Sequence, residues 1–470
     1  MAKSKSKLGD MRLNEVFSNM VDAVSTKFTL VLRQLGEDRK DEVANGRFIN
    51  NVKVTPQKII DHYHDTYPFD FSGKHILIAG DTSTNSFKLN ANRGLLGFIK
   101  SKSTISGFDF HPSIYMDADS GACYGLGGIA VQKADPPDPD ADRHDYQKLP
   151  FEEKDRYKWY SSFEQATSQI SDDAQADTYT IIGDREADIY DLLCRCKTKN
   201  WQHVVRSSHD RLLWDIQSNG IKKHANGKND KLRSTIERWA VEHTYSLKLP
   251  KTDKRTAHEA KLDLKFGHVY IARPRTHIDK TLPQYMPVYV VEVKEQAQTV
   301  VGKEKPVHWI ILTSHPVTNI EQAMQIIEWY RWRWVIEQVF RTLKSKGLDL
   351  ESSEVESYEG LVNLAVLGLI GAVLILQLVQ ARDGKTQQKI DELFTDEEQQ
   401  CLIQLNQKLE GKTKKSKNPH PPHTLAFAVW IIARLGGWKG YRCERPPGPI
   451  TMLKGLTRFY HIMEGYWLLL

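Results

Sequence analysis

One apolar stretch limits how this chain can fold. Residues 361–381, LVNLAVLGLIGAVLILQLVQA, contain an unbroken apolar run of 13 residues that extends from Leu364 to Leu376. Such a run has to leave water, either in a bilayer or in a protein core. A membrane span needs about 20 apolar residues, so the shorter run favours a buried core helix over a membrane protein. A chain of 470 residues can bury such a helix, and its length suggests about three domains.

The composition is that of a globular protein in a reducing compartment. Hydrophobic residues make up 40% and charged residues 26% of the chain, which argues against a disordered or fibrous protein. The five cysteines have neither the spacing of a disulfide framework nor a Cys-x-x-Cys pair. The basic N-terminus, MAKSKSKLGDMRLNE, is not followed by the apolar segment of a secretory signal.

The formal net charge of +6 is unevenly distributed. Residues 206–255 hold 12 basic and 6 acidic side chains, residues 351–410 hold 4 and 11, and residues 411–470 hold 10 and 2. Two basic blocks indicate a polyanionic partner, although a solvated surface produces the same pattern.

Hydrophobic periodicity separates helical ends from a mixed centre. Residues 1–70 have apolar positions at helical spacing, with Thr55 and Pro56 suited to begin a helix. From residue 71 short apolar runs predict strands, and residues 206–305 alternate polar and apolar positions as in a β-rich segment. After Asn319 the pattern is helical to about residue 381.

Two aspartates follow predicted strands. Asp81 ends HILIAGD and Asp184 ends TYTIIGD, and sites in sheets flanked by helices form where strands end at their carboxyl termini. An isolated Asp after a strand is more often a turn or capping residue, so the pair needs a third member.

The third acid is Glu337, in EWYRWRWVIEQVFRTLKSKG. At 100° per residue, one helical stripe about 80° wide holds Tyr330, Arg333, Glu337, Arg341 and Lys344. Ordinary surface helices also carry polar stripes, but a carboxylate among three cations and a tyrosine suits a metal ligand whose neighbours bind phosphates. Three carboxylates can hold two divalent cations, and Mg²⁺ or Mn²⁺ favours such oxygen ligands.

These residues resemble a known family. The spacing Tyr330-x2-Arg333-x3-Glu337-x6-Lys344 is similar to the Tyr-Arg-Glu-Lys signature of the insertion-sequence-four family of bacterial DDE transposases, the family of the transposon-five transposase. GDTS at 80–83 and GDREADIYD at 183–191 resemble its two Asp motifs. The resemblance implies an α/β fold: a ribonuclease-H-like catalytic core with a β-rich insertion, plus helical N-terminal and C-terminal domains.

The resemblance also implies a division of the chain. Residues 1–70 would form a helical domain that binds the DNA end, and residues 71–380 would form the catalytic domain, interrupted by the β-rich insertion at about 206–305. Residues 381–470 would form a C-terminal dimerisation region.

By the same resemblance, the acids Asp81, Asp184 and Glu337 ligate two Mg²⁺ ions per active site, for which Mn²⁺ can substitute. Phosphates near the cleaved end would be held by Tyr330, Arg333 and Lys344. Trp309 matches a tryptophan that stacks on a flipped base, although a Trp that begins an apolar strand is commonly a core residue.

Three further arginines are predicted to contact DNA: Arg206, Arg211 and Arg341. For Arg206 and Arg211 an ordinary surface cation is the alternative. Within the second motif, Arg185, Glu186 and Asp188 have capping or structural roles as the alternative.

The function implied is cut-and-paste transposition in the bacterial cytoplasm. A homodimer would bind the inverted-repeat ends in double-stranded DNA, cleave them through a hairpin intermediate and join the 3′ ends to target DNA, without a membrane partner. Two alternatives remain: a catalytically silent DNA-binding regulator or transposition inhibitor, and a nuclease that uses the same core on branched nucleic acids.

Overall fold

The computed structural model describes residues 7–87, 98–99, 102–133, 148–216, 222–224, 231–252, 255–344, 347–413, 416–440 and 444–467. The α-helices are α1 (Met11–Lys27), α2 (Leu32–Leu35), α3 (Arg39–Ile49), α4 (Pro56–Thr66), α5 (Tyr157–Ser168), α6 (Tyr190–Thr198), α7 (Leu232–Glu237), α8 (Ile320–Trp332), α9 (Ile336–Leu343), α10 (Tyr358–Ala381), α11 (Asp396–Leu409), α12 (Leu425–Leu435) and α13 (Pro449–Trp467).

The strands join in one mixed sheet. They are β1 (His75–Gly80), β2 (Ser83–Phe87), β3 (Phe98–Ile99), β4 (Lys102–Asp117), β5 (Cys123–Gln132), β6 (Thr178–Gly183), β7 (Gln202–Arg206), β8 (Leu213–Ile216), β9 (Lys222–His224), β10 (His243–Leu249), β11 (His258–Ala272), β12 (Tyr285–Glu295) and β13 (His308–Thr313). Strands β4 and β5 pair antiparallel on either side of the turn at residues 119–121.

The part of the sheet around β1 and β6 contains both antiparallel and parallel strand pairs. Strand β4 pairs antiparallel with both β5 and β1, and β1, β6 and β7 then run parallel. This mixed α/β architecture is compatible with the predicted ribonuclease-H-like core. The parallel strands β1 and β6 carry the two Gly-Asp sequences at their carboxyl ends.

The β-rich segment predicted at 206–305 contains β8, β10, β11 and β12 among its described residues, together with the short β9. Its long strands β11 and β12 pair antiparallel, β12 pairs with β13, and β13 pairs with β7. These strands therefore extend the sheet that contains β1, β6 and β7, and continuous hydrogen bonding joins them to it.

Helix α10 is the buried core helix that the apolar run predicted. It is long and apolar enough to cross a membrane, yet 94% of its most apolar window of 18 residues is buried inside the protein. Its polar side chains have protein partners: Asn363 donates to the carbonyls of Ile49 and Val54, and Gln377 donates to the carbonyl of Tyr124. Buried amides with such partners fit a protein interior.

The terminal helices share this core. The predicted start of α4 is confirmed, with the Thr55 side chain accepting from the Lys58 N–H and Pro56 in the first turn. Apolar side chains of α1, α10, α12 and α13 belong to one hydrophobic cluster that also includes residues of the sheet. Among the described residues the helical ends thus pack on the same core as the sheet, and the domain boundaries at 70 and 380 stay predictions.

Candidate active site

The two aspartates lie side by side at one edge of the sheet. Strands β1 and β6 are parallel, and their register pairs Ile78 with Ile181 and Ala79 with Ile182. Carrying the same offset two residues further brings Asp81 opposite Asp184. Neighbouring strands are about 4.8 Å apart, so the fold brings together two acids that are more than 100 positions apart in the sequence.

Both aspartates follow a glycine that has no room for a side chain. A Cβ on Gly80 would lie 2.9 Å from His111 Nε2 and 3.0 Å from Phe163 Cε1. A Cβ on Gly183 would lie 2.3 Å from Ala187 Cβ and 3.1 Å from a ring atom of Trp159. Helix α5 supplies both aromatic rings, so it packs directly against the strand ends that carry the acids.

The helix that carries Glu337 is not continuous, and the prediction of one α-helix through EWYRWRWVIEQVFRTLKSKG was wrong. Helix α8 ends at Trp332, a 3₁₀ turn covers Arg333–Val335, and α9 ends at Leu343. The tighter turn changes the rotation per residue, so the side chains before and after it do not follow one simple stripe. The interruption coincides with the residue that reaches the aspartates.

That residue is Arg333, which is only 8% exposed. Its Nη1 donates to Oδ2 of Asp81 at 2.5 Å, and its Nη2 lies 3.9 Å from Oε1 of Glu337. Asp184 also acts on the guanidinium electrostatically. The structure therefore brings all three predicted acids around a single guanidinium.

The carboxylates influence one another as well. Burial raises the pKa of Asp81, Arg333 opposes this rise, and the nearby Asp184 adds to it. Burial likewise raises the pKa of Glu337, with Arg333 opposing and with Asp81 and Asp184 contributing. The three carboxylates therefore act on one another electrostatically, and like charges in a partly buried site are typical of functional centres.

The donor chemistry suits a hard divalent cation, because all three side chains are carboxylates. Within the part of the chain that the structure describes, no group of three or more His, Cys, Asp or Glu side chains is placed so as to hold a metal ion. The guanidinium of Arg333 supplies the positive charge between Asp81 and Glu337 instead.

The other members of the signature surround this centre unequally. Tyr330 is buried, with its ring centroid 5.9 Å from the Arg333 guanidinium carbon, whereas Arg341 is exposed. Lys344 leaves the helix with an extended backbone, and its Nζ donates to the carbonyl of Thr84 on β2. The predicted helical position of Lys344 was therefore wrong, although the side chain does reach a strand next to Asp81.

Trp309 lies beside the signature tyrosine. It is partly buried at the start of β13, and its ring meets that of Tyr330 edge to face with centroids 5.3 Å apart. The ring also packs against the hydrophobic core. Both the stacking role and the core role remain compatible with this position.

Arg206 and Arg211 have different surroundings. Arg206 is partly exposed and donates to the carbonyl of His308. Arg211 is buried and forms an ion pair with Asp188, whose carboxylate also accepts from the N–H groups of Ser208 and His209. Although burial opposes it, the Arg211 charge helps to hold the pKa of Asp188 below its usual value. The structure thus gives Arg211 an internal partner and leaves Arg206 the more accessible cation.

Two features were not predicted. Trp334 is 61% exposed beside Arg333, and a helical wheel places it about 40° from Tyr330, so the sequence contained that signal. Lys158 on α5 is buried and pairs with Glu186 at 3.0 Å, and Glu186 accepts from the Thr82 hydroxyl next to Asp81. No motif marks Lys158, because only the fold brings α5 to the site.

Comparison with known protein families gives an independent result for this region. Residues 162–374 match the family model of the transposase DDE domain. The match includes Asp184, Glu337 and the whole interval between them, and it begins after Asp81. This part of the chain, 213 of its 470 residues, is therefore similar to the transposase DDE domain.

Proposed function

We propose that this protein is a cut-and-paste transposase of the insertion-sequence-four family, acting as a homodimer in the bacterial cytoplasm. It binds the inverted-repeat ends of its element, cleaves them through a hairpin intermediate, and joins the freed 3′ ends to target DNA. The observation that carries the proposal is the convergence of Asp81, Asp184 and Glu337 on one guanidinium, within a chain that matches the DDE domain.

DDE transposases generally use divalent metal ions, and the three carboxylates would hold them here once Arg333 leaves Asp81 and the carboxylates move closer together. Bound Mg²⁺ or Mn²⁺ would activate the attacking oxygen and stabilise the leaving oxygen. Asp81 directly follows β1, Asp184 directly follows β6, and Glu337 lies on α9. The relative positions of the three carboxylates therefore depend on the fold that joins these three elements.

The cations around the acids have a separate task in this proposal. Arg333 releases Asp81 and binds a backbone phosphate, and Lys344 holds a second phosphate from the β2 side. Arg341, which is exposed, and Arg206, which is partly exposed, give further contacts to the DNA backbone. Tyr330 and Trp309 form the aromatic wall beside these cations. Phosphate contacts of this kind set the position of a duplex without reading its sequence.

The test is cleavage of a labelled duplex that carries the element end, in the presence of Mg²⁺ or Mn²⁺. Glu337→Gln keeps the size of the side chain and removes its charge, so we expect cleavage to fall by at least about a hundredfold. Gln338→Glu, which changes the adjacent residue by the opposite substitution, is the matched control and should still cleave.

The outcome separates the alternative functions. Cleavage by Glu337→Gln at the parental rate would disprove the three-acid mechanism. Binding of the ends without any metal-dependent cutting by the parent protein would identify a silent regulator. Equal cutting of branched substrates without element ends would identify a nuclease.

A further inference from the structure

A cavity lies on the same edge of the sheet as the three acids. It has a volume of about 380 Å³ and is bounded by the turn after β6, the loop after β7 and the loop that follows β11. Asp188 lines it. Asp188 is four positions after Asp184 in the sequence, so their Cα atoms cannot be more than about 14 Å apart. The cavity therefore lies close to the candidate active site.

The cavity has an excess of positive charge. Its two carboxylates are already paired, Asp188 with Arg211 and Asp191 with His277. Three other cations line it, Lys154, Arg156 and Arg273. Two of them, Lys154 and Arg156, have no side-chain hydrogen bond or ion pair to any residue that the structure describes, and Arg273 donates only to backbone carbonyls. Among the described residues, the side chains that line this cavity thus carry more positive than negative charge, which suits an anion.

The cavity also has an apolar part. Phe151, Ile189, Tyr190 and Leu212 line it together with the charged side chains and His209. An apolar wall with a few charged groups at one side is the usual composition of a site for a small organic ligand, and the volume lies in the range of such sites. A ligand that combines a flat ring with a phosphate satisfies both parts.

We propose that this cavity binds one unpaired nucleotide of the DNA strand next to the cleaved bond. The phosphate lies against Lys154, Arg156 and Arg273, and the base lies against the apolar wall. Trp309 does not line the cavity, so this nucleotide is not the one assigned to that ring. The inference rests on the proposed function in that both take DNA as the substrate.

The cavity also joins two parts of the protein. Arg273 belongs to the loop between β11 and β12. Lys154 and Arg156 precede α5, the helix that packs against the strand ends next to Asp81 and Asp184. The Asp188 carboxylate holds the loop after β7 in place through the N–H groups of Ser208 and His209. A nucleotide in this cavity would therefore contact both the β-rich segment and the residues that precede α5.

The experiment measures binding in EDTA, so that it does not depend on cleavage. Fluorescence anisotropy gives the affinity for a blunt duplex and for the same duplex with a three-nucleotide single-stranded overhang, on either the 5′ or the 3′ strand. Stacking and phosphate contacts should make at least one overhang bind about fivefold more tightly than the blunt end. The double variant Lys154→Ala/Arg156→Ala should lose this preference and keep most of its affinity for blunt DNA.

Two further variants keep the result interpretable. Arg275→Ala removes the same charge two residues from Arg273 but outside the cavity, so its overhang preference should be unchanged. Pro274→Trp narrows the cavity without changing its charge and should reduce the preference. An overhang preference absent from the parent protein, retained in the double variant, or lost equally in Arg275→Ala would overturn the proposal. None of these outcomes depends on Glu337, whose substitution tests the catalytic function.

Discussion

At the scale of single residues, Arg333 is a buried cation that contacts both Asp81 and Glu337. Its charge compensates carboxylates that would otherwise repel one another in a partly buried site. The same charge competes with any divalent cation for Asp81. Metal binding and release of the guanidinium are therefore linked, and a DNA phosphate offers the released side chain a new partner.

Arg333→Ala should raise the affinity of the DNA-free protein for Mn²⁺ by about tenfold, because the ion no longer competes with a guanidinium. Isothermal titration calorimetry or electron paramagnetic resonance of free Mn²⁺ measures this directly. Arg341→Ala removes an exposed arginine from α9, which follows the turn that holds Arg333, and should leave the affinity within about twofold. An unchanged or lower affinity in Arg333→Ala would contradict the competition.

Trp309→Ala is predicted to nick the element end but to form little hairpin. Stacking on an extruded base offsets the free energy needed to unstack it, which amounts to a few kcal/mol. Denaturing gels that resolve nicked and hairpin products give the yield of each. Trp334→Ala is the comparison, since that ring is the more exposed of the two. A normal hairpin yield in Trp309→Ala would return this residue to a core role.

At the scale of elements, the strands that end in aspartate were predictable and the signature helix was not. The runs before Asp81 and Asp184 are apolar, short and buried, and runs of this length are typical of strands. The 3₁₀ turn at Arg333 occurs where the side chain pairs with an acid 252 positions away. Periodicity describes one helix at a time, so it cannot anticipate a distortion that accompanies a distant contact.

Gly183→Ala tests the close contact between α5 and the end of β6. The added methyl group has no space beside Ala187 and Trp159, so the turn that carries Asp184 has to shift. Overpacking of this kind costs about 1–3 kcal/mol of folding free energy, and cleavage should fall by at least about tenfold. Gly448→Ala has open space and should leave stability and cleavage unchanged. Parental cleavage by Gly183→Ala would show that the turn tolerates displacement.

At the scale of the whole molecule, buried histidines make stability depend on pH. Burial lowers the pKa of His64 and His315 to about 4 and that of His203 to about 3. In the unfolded chain each ring takes up a proton below about pH 6.5, whereas the folded protein keeps it neutral. Stability is therefore complete above that pH and decreases as the pH falls towards the folded values.

We expect the free energy of unfolding to decrease between pH 7 and pH 5.5, with each of these rings contributing up to about 1.4 kcal/mol per pH unit below pH 6.5. Urea denaturation at several pH values provides the curve. His203 has no hydrogen-bond partner on either ring nitrogen among the described residues. His203→Leu should therefore reduce the slope, and a curve identical to that of the parent would exclude this ring as a contributor.

The sequence predicted that the central helix is buried, but not which helices cover it. A 13-residue apolar run requires burial whatever surrounds it. The surface that covers the run depends on side chains scattered over α1, α12 and α13. No local pattern specifies which distant helix will pack on which face, so the shared core could be seen only in the structure.

The shared core has a consequence for synthesis of the protein on the ribosome. Val24 of α1 packs against Gly371 of α10. Because more than 300 residues lie between these two helices, α1 is synthesised long before the helix on which it packs. At about 5–20 residues per second, roughly 20–70 s pass between the two. During that time the apolar face of α1 is open to chaperones and to other nascent chains. Folding of the N-terminal region thus depends on a helix that is synthesised more than 300 residues later.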